Sequence, residues 1–390
     1  MPKDMEPLFL TTGTGDVQEE SKVHCCKRPC CKFCCKCCSP RCGFLGLLGF
    51  LALVGLFFVG PRLGPSKFGE SWMVSEGSPP MVISHGDCPC LPEPANSMLW
   101  FECASGLGVD AIEFDLQITE GEAERGAKQR EKRSDGNSKL CNYAPPIFCT
   151  MTNHLLLVAL LLLVVADDVL IAFHDRDWEK LTNATGLVRE TTFAEMEKSV
   201  DVSESYEEYN GRLISPPSIE SIFQRFAPTT VLFNVEIKTV VEDKEIVAEL
   251  LCGLLEDYGL EGRMLVASFD SESLIALRKR CGDKVATSGS AEETEKALIP
   301  ILLGLDHWWF QPGFLSVLQL PVEGAGFDLT DKKIIDRVHA HGMAVQYWVI
   351  NDEEVMKKII LNGADGILTD EVDKLRGVLE ELGYDAPESE

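Results

Sequence analysis

The sequence predicts an α/β chain whose main part, residues 80–390, closes as a TIM (β/α)8 barrel, and three observations predict it. Eight short apolar stretches recur along these residues with helix-like segments between them, the pattern of a parallel sheet covered by helices. The stretches run continuously apolar where a half-exposed strand would alternate, as strands buried on both faces do. The polar residues His85, Glu113, Asp115, His174, Glu236, Lys238 and Ser268 fall at or near the carboxyl ends of successive stretches. In a barrel those ends converge on one rim, where chemistry sits.

Taken in order, the first strand is 81–84, a short apolar run stopped by His85. A helix is expected over 99–107, ended by Gly108. The second strand, 111–117, organises the rest. Its side chains alternate, so Glu113 and Asp115 share one face while Ile112, Phe114 and Leu116 pack on the other. Two carboxylates on one face of a buried strand are costly unless positive charge stands between them, and a divalent cation supplies it; a solvated strand face is the plainer reading of this segment alone. The third strand is 169–173, ending at His174-Asp175, and a helix covers 216–226. The fourth strand, 231–238, carries Glu236 and Lys238 on one face. Helix 245–258 keeps Ile246, Leu250 and Leu254 on a stripe. The remaining strands are 264–268, 284–287, 343–350 and 366–369, with helices at 274–280, 334–340, 355–362 and 372–382.

One stretch interrupts this rhythm. Residues 120–166 stand where a turn is expected. They begin charged, pass through Pro145-Pro146 and end in the apolar run 155–166. A connection this long is unusual in a compact domain, and twelve apolar residues are short for a membrane span. Three readings stay open: a lipid-touching lid at the rim, a segment packed in another way, or sequence foreign to the mature product, such as a translated unspliced segment. Its removal brings Thr119-Glu120 against Asp168-Val169, a normal turn.

The chain has 62 acidic and 36 basic residues and a net charge of -26. Residues 1–70 carry nine Lys/Arg and six Asp/Glu, or +3, so residues 71–390 carry -29. Such an acidic domain argues against nucleic acid as a partner and suits recruitment of a cation. Nine of the 16 cysteines lie in 25–42, interleaved with lysines. Their tight spacing is poor for a four-ligand zinc site and suits acylation, with Cys34, Cys35, Cys37 and Cys38 as the palmitoylation candidates. The other seven form no disulfide framework, although a single pair involving Cys88 or Cys90 is compatible with them. Residues 43–60 are eighteen without a charge, about 27 Å as a helix and just enough to span. Six basic residues between Lys22 and Arg41, against Arg62 and Lys67 beyond the span, place the amino terminus in the cytosol. The expectation is a single-pass membrane protein with 1–42 disordered and juxtamembrane, 43–60 spanning, 61–79 a linker and the barrel lumenal or extracellular. A shallow acylated anchor is the alternative. The Asn183-Ala184-Thr185 acceptor sequon is usable only in that topology.

The rim residues specify a chemistry. Glu113, Asp115 and Glu236 make an all-oxygen set suited to Mg²⁺ or Ca²⁺. His85 and His174 beside it are equipped for phosphoryl chemistry, one taking a proton from the nucleophile and the other protonating the leaving alcohol. Lys238 and the cation neutralise phosphoryl oxygens. Trp348, with Asn351 close behind, and the group Trp308, Trp309 and Phe310 either cover part of a substrate or merely pack.

These motifs together resemble the glycerophosphodiester phosphodiesterase family, in its membrane-anchored form. The matching segments are Ile83-Ser84-His85, 108–119 with Glu113-x-Asp115, Phe173-His174-Asp175, 181–186, Asn234-Val235-Glu236-Ile237-Lys238, Trp348-Val349-Ile350-Asn351 and 363–370. The resemblance implies a barrel with two catalytic histidines, Ca²⁺ or Mg²⁺ on the three carboxylates, and cleavage of glycerophosphodiesters to glycerol 3-phosphate and an alcohol. Membrane-anchored relatives act on lysophospholipids. Two departures stand out. The family's His-Arg-Gly is His85-Gly86-Asp87 here, without the phosphate-contacting arginine. Its Pro-Glu-Asn-Thr is Pro92-Glu93-Pro94-Ala95-Asn96-Ser97, so the glutamate, a substrate-binding candidate, is displaced to Glu93 or lost at Ala95. A lysine point charge does not replace an arginine fork. The competing reading is therefore a membrane-tethered barrel that binds a phosphodiester or lipid without turnover.

Overall fold

Eight short parallel strands close into a ring in the computed structural model, which describes residues 72–86, 94–121, 168–203, 209, 212–238, 243–306, 315–324 and 326–384. In chain order the elements are β1 (Met81–Ser84), α1 (Met98–Gly106), β2 (Ala111–Ile118), β3 (Leu170–Ala172), α2 (Phe193–Ser199), α3 (Ile219–Phe226), β4 (Leu232–Ile237), α4 (Lys244–Tyr258), β5 (Met264–Ala267), α5 (Ser271–Cys281), β6 (Ala286–Ser288), α6 (Ala291–Leu303), β7 (Leu315–Leu320), β8 (Glu323–Gly324), β9 (Phe327–Asp328), α7 (Lys332–Ala340), β10 (Ala344–Tyr347), α8 (Glu353–Leu361), β11 (Gly366–Thr369) and α9 (Val372–Glu381). The ring runs β1-β2-β4-β5-β6-β7-β10-β11 and returns to β1, every pairing parallel.

The expected barrel is present, but its membership differs. The stretch 169–173 is not a barrel strand: β3 lies antiparallel on the far end of β2, pairing Leu116 with Ala172 and Ile118 with Leu170. Its place in the ring is taken by β7, whose Ser316 and Gln319 interrupt the apolar pattern that the sequence reading relied on. Gln319 points inward to donate to Gln346 Oε1 at 3.0 Å, while Ser316 alternates to the other face and is buried there. The cysteine pair also differs: Cys252 of α4 is bonded to Cys281 of α5, Cα atoms 5.5 Å apart, and Cys88 and Cys90 lie outside the described residues.

Alternation along the strands builds two packed layers. Inward, Ile83, Ala111, Leu265, Ala286, Val317, Ala344 and Leu368 fill the base of the barrel, and Trp72, fully buried, closes it from below. Outward, Ile112, Phe114 and Leu116 enter the larger core beneath the helices, as expected. Phe114 meets Phe101 edge-on at 5.1 Å, the geometry aromatic pairs favour. Local signals start the helices: Thr192 with Glu195, and Ser290 with Glu293, form capping boxes.

The flanks of the long stretch meet. Thr119 N donates to Val169 O at 3.0 Å, and Gly121 N donates to Asp168 Oδ1 at 2.9 Å. Arg189 ties this neck down, donating to Asp168 Oδ1 at 2.6 Å, to Thr119 O and to both oxygens of Asp243. Joining Gly121 directly to Asp168 leaves five residues, 119–121 with 168 and 169, between β2 and β3, an ordinary hairpin-loop length. A chain shortened in this way is expected to fold with its melting temperature within a few degrees of the parent. Circular dichroism through a thermal ramp checks this, and a chain that no longer melts cooperatively would contradict it.

Residues 1–71 lie outside the described residues, and with them the expected acylation sites Cys34, Cys35, Cys37 and Cys38 and the span 43–60. Glu93, Asp87, Trp308, Trp309, Phe310 and residues 122–167 do too. Among the described residues, no helix is long and apolar enough to cross a membrane.

Candidate active site

The carboxylates meet because of strand register. Glu113 and Asp115 are inward residues of β2, and the parallel pairing of β2 with β4 sets Asp115 directly beside Glu236. One oxygen from each of Glu113, Asp115 and Glu236 falls in a cluster no wider than 4.8 Å. Lys238 reaches into the same cluster, its Nζ 3.3 Å from Asp115 Oδ1 and 3.1 Å from Glu236 Oε1. Three carboxylates against one ammonium leave excess negative charge in a mostly buried place. Burial raises the Glu113 carboxyl to about 8, with Asp115 and Glu236 adding to the rise and His85 and Lys238 opposing it. Glu236 is raised for the same first reason. Lys238 is held firmly charged: burial works against it, but Asp115 and Glu236 outweigh burial. An all-oxygen cluster with an ammonium already drawn into it fits a hard divalent cation.

A pH dependence follows. Glu113 without a cation binds its proton up to about 8, and a cation needs the carboxylate. Affinity for Mg²⁺ or Ca²⁺ is therefore expected to climb between pH 6 and 8, by up to roughly tenfold per unit, with a smaller further rise as the neighbouring His85 imidazolium loses its proton near about 9. The stability sign agrees. A folded-state pKa raised from 4.5 to about 8 favours folding at low pH and loses that contribution as pH rises through 8. In chelator the melting temperature should fall from pH 5 to 9, and saturating cation should flatten the fall. Titration calorimetry and thermal melts across this range read both.

His85 follows β1 and faces the carboxylates. Its Nε2 lies 3.7 Å from Glu113 Oε2. Its Nδ1 is bonded to Asp370 Oδ1 at 2.8 Å. The pairing of Ser84 with Thr369 brings residues 85 and 370 abreast, since β11 is the neighbour of β1 in the closed ring. Asp370 is braced by Asn351, whose Nδ2 donates to Asp370 Oδ2 at 2.8 Å while its Oδ1 accepts from Asp370 N at 3.0 Å. Burial would push the His85 imidazole down, but Glu113, Asp370 and Asp115 together hold it up at about 9 without a cation.

His174 arrives by the antiparallel arm. β2 runs up to the rim, and β3 returns the chain so that Phe173 N donates to Asp115 O at 3.0 Å. Gln117 Nε2 donates to His174 O at 3.2 Å. The imidazole is half exposed, and its Nδ1 is bonded to Asp175 Oδ1 at 2.6 Å. This is the physical reason the third apolar stretch is not a barrel strand: a reversal sets Phe173 opposite Asp115 and His174 one residue beyond, where a parallel strand would have needed a full crossover.

Other residues named from sequence take simpler places. Ser268 Oγ donates to Ile237 O at 2.9 Å and so steadies the strand end that carries Lys238. Trp348 stands edge-on to the exposed ring of Phe269 at 6.0 Å. Asn183 is exposed. Sequence reasoning gave no role to Asp370, although it quoted the segment that ends there. The signal was available: a carboxylate one residue past the last strand must lie beside the first strand once the barrel closes.

Comparison with known proteins identifies the family. The glycerophosphoryl diester phosphodiesterase family matches residues 162–374, and the chain belongs to that family. The matched stretch holds His174, Glu236 and Lys238; His85, Glu113 and Asp115 precede it and join it through the barrel. A glycerophosphodiester phosphodiesterase of Caldanaerobacter subterraneus subsp. tengcongensis is 24% identical over 308 residues, 78% of this chain and 99% of that protein. Among solved structures, the glycerophosphoryl diester phosphodiesterase domain of a Mycobacterium tuberculosis protein superposes with a TM-score of 0.54 at 16% identity, covering 78% of this chain and all of that one. A phosphodiesterase of Oleispira antarctica, in complex with its product sn-glycerol-3-phosphate, superposes at 0.51 and 18% identity, covering 77% and 97%.

Proposed function

We propose that this chain is a divalent-cation-dependent glycerophosphodiester phosphodiesterase, which hydrolyses glycerophosphodiesters or lysophospholipids to glycerol 3-phosphate or lysophosphatidate and an alcohol. One observation carries the reading: two imidazoles, each with its Nδ1 held by a carboxylate, flank a three-carboxylate cluster on the barrel's catalytic rim. Glu113, Asp115 and Glu236 would hold Mg²⁺ or Ca²⁺, which when bound neutralises charge on phosphoryl oxygens. Asp370 and Asp175 bind Nδ1 of His85 and His174, leaving each Nε2 as the atom that exchanges a proton. One imidazole takes the proton of the attacking water and the other delivers a proton to the departing alcohol. Lys238 adds fixed positive charge beside the phosphoryl group. Trp348, with Phe269, offers an apolar wall to the glycerol or acyl part of the substrate. Glycerol 3-phosphate release from glycerophosphocholine, in Mg²⁺, Ca²⁺ or chelator, tests the reading. No release from the folded, cation-loaded protein would overturn it in favour of the tethered binding barrel.

We further infer a single-pass topology, with residues 43–60 spanning, the acylated Cys34–Cys38 region cytosolic and the barrel lumenal or extracellular. The Cys252–Cys281 bond supports it, because disulfides persist in oxidising compartments. So does the exposure of the Asn183 sequon. A protein expressed in cells with a secretory pathway is expected to lose mass on glycosidase treatment, and Asn183→Gln to abolish that shift. An unglycosylated Asn183 in membrane-inserted protein would count against the topology.

A further inference from the structure

We propose that Asp370 is the positioning residue that aims His85, and that the glycine at position 86 is what admits it. The inference deepens the phosphodiesterase reading and rests on it. The two histidines of the rim obtain their carboxylates by different routes. His174 takes the adjacent residue, Asp175. His85 takes Asp370, which arrives from 285 positions away, just past the last strand of the ring. Asp370 is not a flexible surface acid: Asn351 holds it through both a side-chain and a backbone bond, and Thr369 Oγ1 donates to the same Asn351 Oδ1 at 2.9 Å. Asn351, Asp370 and His85 thus form a chain of bonds whose free end is the Nε2 facing Glu113 at 3.7 Å.

Gly86 makes this chain possible. Its φ of +62° is a conformation that side chains rarely adopt. A Cβ built there would stand 2.6 Å from Asp370 Oδ1, the very oxygen bonded to His85. With the backbone as it stands, a side chain at 86 crowds that oxygen, so the turn or the carboxylate must shift and the bond to the imidazole is disturbed.

The test uses the full-length chain as wild type, Asp370→Ala, Asp370→Asn, Gly86→Ala and the Gly86→Ala/Asp370→Ala double variant. For each, kcat and KM are measured for glycerol 3-phosphate release from glycerophosphocholine, and the cation dissociation constant by calorimetry. Asp370→Ala is expected to lower kcat by about 10–100-fold, part of what a positioned acid or base contributes, with KM changed less than about threefold and cation affinity held. Gly86→Ala should give a similar loss. The double variant should fall no further than the worse single, because both changes remove one bond. Asp370→Asn, which keeps an acceptor, should lose less. An unchanged kcat in Asp370→Ala, multiplied losses in the double variant, or parallel collapse of cation affinity would overturn the proposal. Should Asp370→Ala fail to fold, Asp370→Asn and Gly86→Ala decide by the same criteria. A wild type without turnover would instead defeat the phosphodiesterase reading. In that case the ¹⁵N resonances of the His85 ring still decide the placement, since the proposal requires them to shift in Asp370→Asn and in Gly86→Ala.

Discussion

Loss of either imidazole, by His85→Ala or His174→Ala, is expected to lower kcat for glycerol 3-phosphate release by about 10²–10⁴-fold. The fold should survive both changes, because neither ring is part of the packed core; His174 is half exposed, and His85 keeps about a third of its side-chain surface. The carboxylates divide differently. Glu236→Gln removes one of three charged ligands from the cluster, so it should weaken cation binding together with activity. The histidine variants should bind cation as the wild type does, apart from a small gain in His85→Ala, where a positive charge near Glu113 is lost. Side-by-side calorimetry and turnover separate the two patterns. Histidine variants that retain activity in saturating cation would remove acid–base catalysis from the account.

The second large effect is structural and lies at the opposite end of the barrel. Asp365, fully buried, accepts from Val74 N at 2.9 Å and from Val345 N at 2.7 Å, and bonds His339 Nε2 at 2.6 Å. It fastens the segment carrying Trp72 to the start of β10. Asp365→Ala leaves buried N–H groups without an acceptor and a histidine without its partner, which costs about 3–5 kcal/mol when a buried pair is broken on one side. Urea unfolding is expected to show that loss, with the chain entering at Trp72 becoming accessible to protease. A variant as stable as the wild type would mean that water replaces all three bonds.

The barrel was legible because most of its strands are short apolar runs that end at chemistry-bearing residues; Met81–Ser84, Gly366–Thr369 and the Glu113-x-Asp115 strand needed no more than that. The pairing of Asp115 with Glu236 was legible in kind, as carboxylates on neighbouring strand ends, but not in register. Two features were hidden for physical reasons. β7 carries Ser316 and Gln319, one polar residue on each face, and together they erase the apolar signal of a buried strand. β3 has the composition of a central strand because it is buried, yet its direction depends on where the chain must deliver His174, a tertiary requirement that no local pattern encodes. The bond between Cys252 and Cys281 depends on α4 lying against α5, which their spacing alone does not reveal.

The neck at Gly121 and Asp168 has a consequence for how such a barrel changes over generations. Its two sides are bonded to each other and to Arg189 independently of what stands between them. The entropic cost of closing a longer connection grows only as about (3/2)RT ln n, so sequence can enter or leave there at small thermodynamic cost. At this point of the chain the folded barrel is held through Gly121, Asp168 and Arg189, and the length between the first two costs it little.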